Sequence, residues 1–174
     1  FGIDYKIYIP DRIMEGYGPN SAALLSLQAE GYDLVITVDC GTTAFDALEV
    51  ASKNGLDILV VDHHLSESKI PDAIAVMNPN RFDDTSGLGY LCGAGVSFML
   101  LIAVNKIFKQ QNYYQENNLP EPKLFNLLDL VALATICDVV PVVKLNRAFV
   151  ALGLKLMAQT ENIGLRELFQ VANI

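Results

Sequence analysis

The stretch that decides the fold is "ILVVDHHLSE", residues 58–67. Four consecutive apolar residues run directly into Asp62, His63 and His64, and the chain has only these two histidines. A short apolar run rich in β-branched residues is typical of a strand that is buried on both faces of a parallel sheet. The stretch therefore predicts a buried strand whose carboxyl end presents one carboxylate and two adjacent imidazoles.

The segments around this strand alternate between strand and helix patterns. Further strands are predicted at residues 5–9, 34–38 and 73–77, and helices at 21–30 and 44–54, the second of them capped by Thr42 or Thr43. This alternation predicts βαβ units and an α/β fold, with a parallel sheet flanked by helices in a Rossmann-like three-layer arrangement. We expect this βαβ core within residues 1–80.

The character of the chain changes after this core, and residues 81–174 are predicted to be mostly helical. Long apolar segments at 93–108 and 124–136 predict buried helices, and shorter helices are predicted at 148–157 and 165–170. The polar segment 110–123 contains two prolines and is predicted to be a loop.

Composition limits the class of protein. The chain has 174 residues, of which 52% are hydrophobic, and its formal net charge is −8. An acidic domain attracts nucleic acid poorly, so a grip on nucleic acid would come from metal ions, a local basic strip or another domain. No apolar run reaches the roughly 20 residues of a membrane helix, which predicts a protein without a membrane span.

The three cysteines form no CxxC pair. This count and spacing argue against a disulfide framework or a zinc knuckle, and they fit a reducing cytoplasm. Cys40 and Cys137 are predicted to be small buried side chains rather than metal ligands.

An acidic residue directly follows the carboxyl end of two of the predicted strands. "VITVDCGTT" ends its strand at Asp39, as "LVVDHH" ends at residues 62–64. Because ligands of open parallel sheets bind outside the carboxyl ends of the strands, these side chains are expected at one edge. Asp138, in "TICDVVP", lies between apolar residues, where a lone charge would be costly. Two carboxylates with one or two imidazoles predict a site for Mn²⁺ or Mg²⁺ that hydrolyses phosphoesters.

Structural roles for these residues remain open alternatives. Asp39 could cap the helix that follows it, and Asp138 could pair with an arginine or cap a helix. His63 and His64 could be structural, with one ring buried and the other solvated.

Candidates for contacting a substrate lie outside this group. Gly93-Ala94-Gly95 opens a helix whose free N–H groups could hold a phosphate, although glycines that allow close helix packing fit the pattern equally well. Arg81 and Arg147 are candidate phosphate contacts, but surface arginines are commonly just solvated. Tyr17, in "EGYG", could stack on a base or simply pack within its loop.

Several motifs occur in the order of a known family. "VVDHHL" resembles the signature of the DHH phosphoesterases, "ITVDCGTTA" resembles their preceding aspartate motif, and "ATICDVVPVVKLNR" resembles their following one. "YIPDRIMEGYGPN" and "LCGAGVSFML" are similar to segments of RecJ-type exonucleases, the branch of the family that degrades single-stranded DNA. The resemblance runs from about residue 5 to residue 157.

This resemblance implies a set of roles. Asp39 would bridge two Mn²⁺ (or Mg²⁺) ions, and His63 and Asp138 would complete the protein ligands of one ion. His64 would contact the scissile phosphate or the ions, and Asp62 would orient a histidine. Arg81 and the glycines at positions 93 and 95 would lie by the substrate.

The implied reaction is 5′-to-3′ hydrolysis of phosphodiester bonds in single-stranded DNA, in cytoplasmic DNA repair and recombination. A single-strand-binding protein or a helicase is a possible partner of the parent protein. The family's earlier Asp-x-Asp strand and its C-terminal substrate-binding domain have no counterpart in the chain, so we expect a partial DHH domain that is inactive alone. "VVKLNR" departs from the family's usual turn but keeps Arg147.

Three other functions compete with this interpretation. A DHH hydrolase of short oligonucleotides, cyclic dinucleotides or pyrophosphate would share the metal residues but not the "EGYG" and "LCGAG" segments. A non-catalytic RecJ-like scaffold typically loses metal ligands, whereas Asp39, His63, His64 and Asp138 are all kept here. A Rossmann-type nucleotide-binding module needs a third glycine that "GYGPNS" lacks.

Overall fold

Three parallel strands form the sheet of the first of two units, Phe1–Ser97. They are β1 (Leu34–Val38), β2 (Asp57–Val61) and β3 (Ala75–Met77), in the order β1-β2-β3. The register pairs Val38 with Val61, and Val61 with Met77. The residue that follows each strand therefore leaves the sheet at the same edge. The predicted parallel α/β fold is confirmed.

Two helices of this unit accompany the first two strands. Helix α1 (Ser21–Ala29) precedes β1, and α2 (Phe45–Lys53) connects β1 with β2. The Asn20 side chain caps α1 by accepting a hydrogen bond from the Ala23 N–H at 2.8 Å. The prediction that Thr42 or Thr43 caps α2 is wrong, because Ala44 occupies the cap position without a side-chain bond. The helices and strands share one core, which contains Leu24, Leu48, Ala51, Leu56, Ile58, Val60 and Val76.

The predicted strand at residues 5–9 is also wrong. This segment has no regular secondary structure, and Tyr5 and Ile9 are 81% and 82% exposed. An apolar alternating sequence becomes a strand only when another strand offers its hydrogen-bonding edge. Lys6–Pro10 and β1 instead line a common cavity of about 460 Å³, and the outward-facing residues of β1 are exposed rather than covered.

The second unit begins at Phe98, and its described residues are mostly helical. The computed structural model describes residues 1–173, and none of the helices in that range is long and apolar enough to cross a membrane. The helices are α3 (Gly93–Gln110), which starts in the first unit, α4 (Tyr113–Glu116), α5 (Leu128–Cys137), α6 (Lys144–Met157) and α7 (Ile163–Ala172). The predicted loop at 110–123 thus contains one short helix.

Close packing of α5 on α6 depends on Gly153. A Cβ at this position would lie 2.2 Å from the Leu128 carbonyl oxygen and 2.4 Å from the Ala132 Cβ. The positions of both atoms are fixed by the backbone of α5, so no side-chain rotation could relieve the contacts and the two helices would have to separate.

We expect Gly153→Ala to lower the free energy of unfolding by about 2 kcal/mol, since overpacking outweighs the better helix propensity of alanine. Urea unfolding of the chain measures this loss. Gly164→Ala in α7, whose Cβ would approach only the Asn162 side chain at 3.3 Å, is the control. Equal stability of the two variants would contradict the prediction.

Candidate metal centre

Asp39, His63 and His64 form a cluster at the carboxyl edge of the sheet. One ligand atom from each residue lies within 4.8 Å of the others, and His63 Nε2 is 3.1 Å from Asp39 Oδ1. The Asp39 side chain is 56% exposed and that of His63 is 13% exposed. The cluster therefore combines an open carboxylate with a largely buried imidazole, and these are three of the residues that the sequence predicted to converge.

The backbone of Asp39 has a left-handed conformation with φ 62°. Aspartate is one of the few residues other than glycine that adopt this conformation readily. The Tyr17 hydroxyl donates a hydrogen bond to the Asp39 carbonyl oxygen at 2.7 Å, and its ring meets the His64 ring edge-on at 6.2 Å. Tyr17 thus contacts two members of the cluster, a role that its sequence pattern did not indicate.

Asp62 is buried behind the two histidines and organises the turn that carries them. Its Oδ1 accepts hydrogen bonds from the backbone N–H of His63 at 2.8 Å and of His64 at 3.2 Å. The same oxygen lies 2.7 Å from His64 Nδ1, and Oδ2 accepts from the Thr42 N–H at 3.0 Å. Burial disfavours the charged carboxyl, but the hydrogen bonds from His64 and Thr42 outweigh it and lower the Asp62 pKa to about 2.

Gly93 brings the first turn of α3 against Asp39. A Cβ at Gly93 would lie 2.2 Å from Asp39 Oδ1 and 2.9 Å from the Asp39 Cβ. The positive end of the helix dipole therefore adjoins a carboxylate, which is electrostatically favourable. Gly95 has a different environment, with Leu91 and Cys92 as its neighbours.

The predicted phosphate contacts are placed as follows. Arg81 binds the Asp83 carboxylate through Nε at 2.9 Å and the Val76 carbonyl through Nη1 at 2.6 Å. The second of these bonds attaches the Arg81 side chain to the backbone of β3. The role of Arg81 in binding a substrate stays a prediction. Arg147 lies on α6 with an exposed side chain, and its role also stays a prediction.

Asp138 belongs to the second unit, where it follows the last residue of α5 as its C-cap. The argument that its charge would be costly among apolar neighbours is wrong, because Asp138, Val139 and Cys137 are all exposed at this helix end. Cys137 is therefore not the buried side chain that we predicted, whereas Cys40 is partly buried. The role of Asp138 as a metal ligand stays a prediction.

Val139 has a left-handed backbone with φ 57°, although its side chain is β-branched and 87% exposed. This conformation costs a β-branched residue about 1–2 kcal/mol, and glycine adopts it freely. Strain of this kind immediately after Asp138 is typical of functional segments.

We expect Val139→Gly to raise the free energy of unfolding by about 1 kcal/mol, since the strain disappears and little packing is lost. Thermal unfolding of the chain measures the change. Val143→Gly is the control, because φ there is −121° and the same substitution removes no strain. Destabilisation of both variants alike would show that Val139 is not strained.

Two further residues of the site were missed by the sequence analysis. Asn78 follows β3 at the position that Asp39 and Asp62 occupy after β1 and β2, and it is 3% exposed. The Asn78 and Asn80 side chains donate hydrogen bonds to the backbone carbonyls of the two histidines. The signal was present in "VMNPN", since a polar residue directly after a buried strand lies at the ligand-binding edge.

The family description "DHH family, N-terminal domain" matches residues 1–135. The chain belongs to the DHH family. The matched range contains the whole parallel sheet and the cluster of Asp39, His63 and His64.

The relatives of this DHH chain include several RecJ proteins. The single-stranded-DNA-specific exonuclease RecJ of Bacillus subtilis (strain 168) is 38% identical over 165 residues, covering 95% of the chain and 19% of that protein. RecJ of Escherichia coli (strain K12) is 37% identical over 172 residues, covering 98% of the chain and 30% of that protein. The chain therefore spans less than a third of the length of these relatives.

A solved structure has the same fold. The crystal structure of exonuclease RecJ bound to manganese superimposes with a TM-score of 0.74 at 34% sequence identity. The match covers 94% of this DHH chain and 39% of the other. The likeness confirms the architecture inferred from the parallel strands.

Proposed function

We propose that this chain is the metal-binding part of a RecJ-type exonuclease that hydrolyses phosphodiester bonds in single-stranded DNA. The observation that supports this most is the Asp39–His63–His64 cluster, whose ligand atoms lie within 4.8 Å of one another at the edge of a parallel sheet. The names of the relatives supply the substrate and the reaction class.

The cluster suits Mn²⁺. A carboxylate oxygen and imidazole nitrogens form a donor set that manganese accepts, and the exposed Asp39 carboxylate leaves the site open to a substrate. Asp39 and His63 would hold the ion, with Asp138 as a further ligand and a second ion shared through Asp39. A bound divalent ion supplies a hydroxide at neutral pH and offsets charge on the phosphate.

His64 would contact the phosphate or the metal through Nε2. Because its Nδ1 faces Asp62 Oδ1 at 2.7 Å, the neutral ring carries its lone pair on Nε2 and can ligate an ion there. A hydrogen bond from Nε2 to a phosphate oxygen instead needs the doubly protonated ring, whose charge the Asp62 carboxylate offsets. Asp62 therefore sets both the orientation and the tautomer of His64.

The remaining parts of the proposal rest on the family. The net charge of −8 is a poor match for DNA, so the main grip on the strand would lie outside this chain. Arg81, Arg147 and the glycines at 93 and 95 would border the reacting phosphate. A protein that degrades single-stranded DNA would be located in the cytoplasm and would have a helicase or a single-strand-binding protein as a partner.

Digestion of end-labelled DNA tests this proposal. The full-length protein, with Mn²⁺, receives single-stranded DNA labelled at the 5′ end in one reaction and at the 3′ end in another. We expect immediate release of 5′-labelled mononucleotide, and no release after chelation of the metal. Cleavage of a dinucleotide or pyrophosphate without digestion of the long strand would instead indicate a small-substrate hydrolase. Inertness toward all of them would indicate a scaffold.

A further inference from the structure

Two asparagines after β3 each hold the backbone of one histidine. Asn78 Nδ2 donates to the His64 carbonyl oxygen at 2.8 Å, and Asn80 Nδ2 donates to the His63 carbonyl oxygen. The two histidines are adjacent in the chain, and neither belongs to a helix or a strand. The side-chain amides therefore supply restraints that regular secondary structure does not provide there.

Asn78 also joins the three loops that leave the carboxyl edge of the sheet. Its Nδ2 donates to the Thr42 hydroxyl at 2.8 Å, and the Thr42 N–H donates to Asp62 at 3.0 Å. With the bond to His64, these contacts connect the loops after β1, β2 and β3. Because Asn78 is buried, loss of its amide would leave carbonyl and hydroxyl groups without their donor, at a cost in free energy.

Asn80 extends this network toward helix α3. Its backbone N–H donates to Asn78 Oδ1 at 2.8 Å, and Nδ2 is 3.3 Å from the Gly89 carbonyl oxygen. A Cβ at Gly89 would lie only 2.4 Å from Asn80 Oδ1, so the two segments are tightly packed. The segment 78–93 thus begins at the carbonyls of both histidines and ends at Gly93, which packs on Asp39.

We propose that Asn78 and Asn80 are positioning residues that set the geometry of the metal centre, one for each histidine. The inference rests on the proposed metal site. The His63 carbonyl belongs to the His63–His64 peptide group, and the His64 carbonyl belongs to the next one. Anchoring both carbonyls restricts the ψ torsion of each histidine, and the backbone torsions aim the two rings. Partners behind metal ligands commonly change metal affinity by about 10–100-fold when they are removed.

The variants Asn78→Ala and Asn80→Ala test the inference in the chain itself. Asn54→Ala is the matched control, because Asn54 Nδ2 also donates to a backbone carbonyl, that of Val50 at 2.7 Å, at the exposed end of α2. Electron paramagnetic resonance of free Mn²⁺ gives the affinity. Since the chain has two histidines, NMR of isotope-labelled histidine rings in the metal-free chain yields two resolved sets of signals.

We expect Asn80→Ala to weaken Mn²⁺ binding about tenfold and to shift mainly the His63 ring signals. Asn78→Ala should shift mainly those of His64, and Asn54→Ala should change neither the signals nor the affinity. A general loss of stability without a local role would not separate the two rings in this way.

Folded Asn78→Ala and Asn80→Ala variants with wild-type Mn²⁺ affinity and unshifted ring signals would overturn the inference. If Asn78→Ala does not fold, Asn80→Ala decides, because the Asn80 side chain is only partly buried. Absence of Mn²⁺ binding by the wild-type chain would count against the proposed metal site, whereas the ring signals would still show whether the asparagines position the histidines.

Discussion

Asp39→Asn is expected to weaken Mn²⁺ binding on the order of 100-fold, because the site loses its exposed anionic ligand. The substitution removes the negative charge of the side chain and keeps its shape. Asparagine has the same size as aspartate and adopts the left-handed backbone conformation, φ 62° at this position, about as readily. The hydrogen bond from Tyr17 reaches the backbone carbonyl and is therefore retained.

Titration of the chain with Mn²⁺, followed by electron paramagnetic resonance, measures this effect. Asp57→Asn is the matched control, since Asp57 is an exposed aspartate at the opposite, amino-terminal end of β2. We expect the control to bind Mn²⁺ as the wild type does, and the thermal midpoints of both variants to stay close to the wild-type value. Unchanged affinity in Asp39→Asn would remove Asp39 from the metal centre.

Gly93→Ala is expected to weaken Mn²⁺ binding by about 10–100-fold, although it changes no ligand. The added methyl would lie 2.2 Å from Asp39 Oδ1 and 2.9 Å from the Asp39 Cβ. A side-chain rotation could relieve the first contact but not the second, because the Cβ follows the backbone. Asp39 or the first turn of α3 must therefore shift as a whole, and we expect the Asp39 carboxylate to lose its position beside His63.

Gly95→Ala provides a control within the same helical turn. Its Cβ would meet Leu91 at 3.4 Å and Cys92 Sγ at 3.8 Å, which are near-ordinary packing distances. Alanine is also the better helix former by about 1 kcal/mol. We expect this variant to keep both its Mn²⁺ affinity and its stability. If Gly93→Ala and Gly95→Ala bound the ion equally well, the close approach of α3 to Asp39 would be irrelevant to the site.

The sequence alone determined the strands β1 and β2 and the meeting of Asp39 with His63 and His64. Both depend on local patterns, namely short apolar runs that end in polar residues. The carboxyl ends of parallel strands must emerge at one edge of the sheet, so recognising the strands was enough to bring these side chains together.

Only the tertiary structure showed which residues hold the cluster in place. The bonds from Asn78 and Asn80 to the histidine carbonyls, and the contact of Gly93 with Asp39, join residues that lie far apart in the chain. The irregular course of residues 5–9 likewise depends on whether a neighbouring strand is present. Local apolar patterns report which face of an element is buried, whereas contacts between distant segments depend on how the elements pack, which no local pattern encodes.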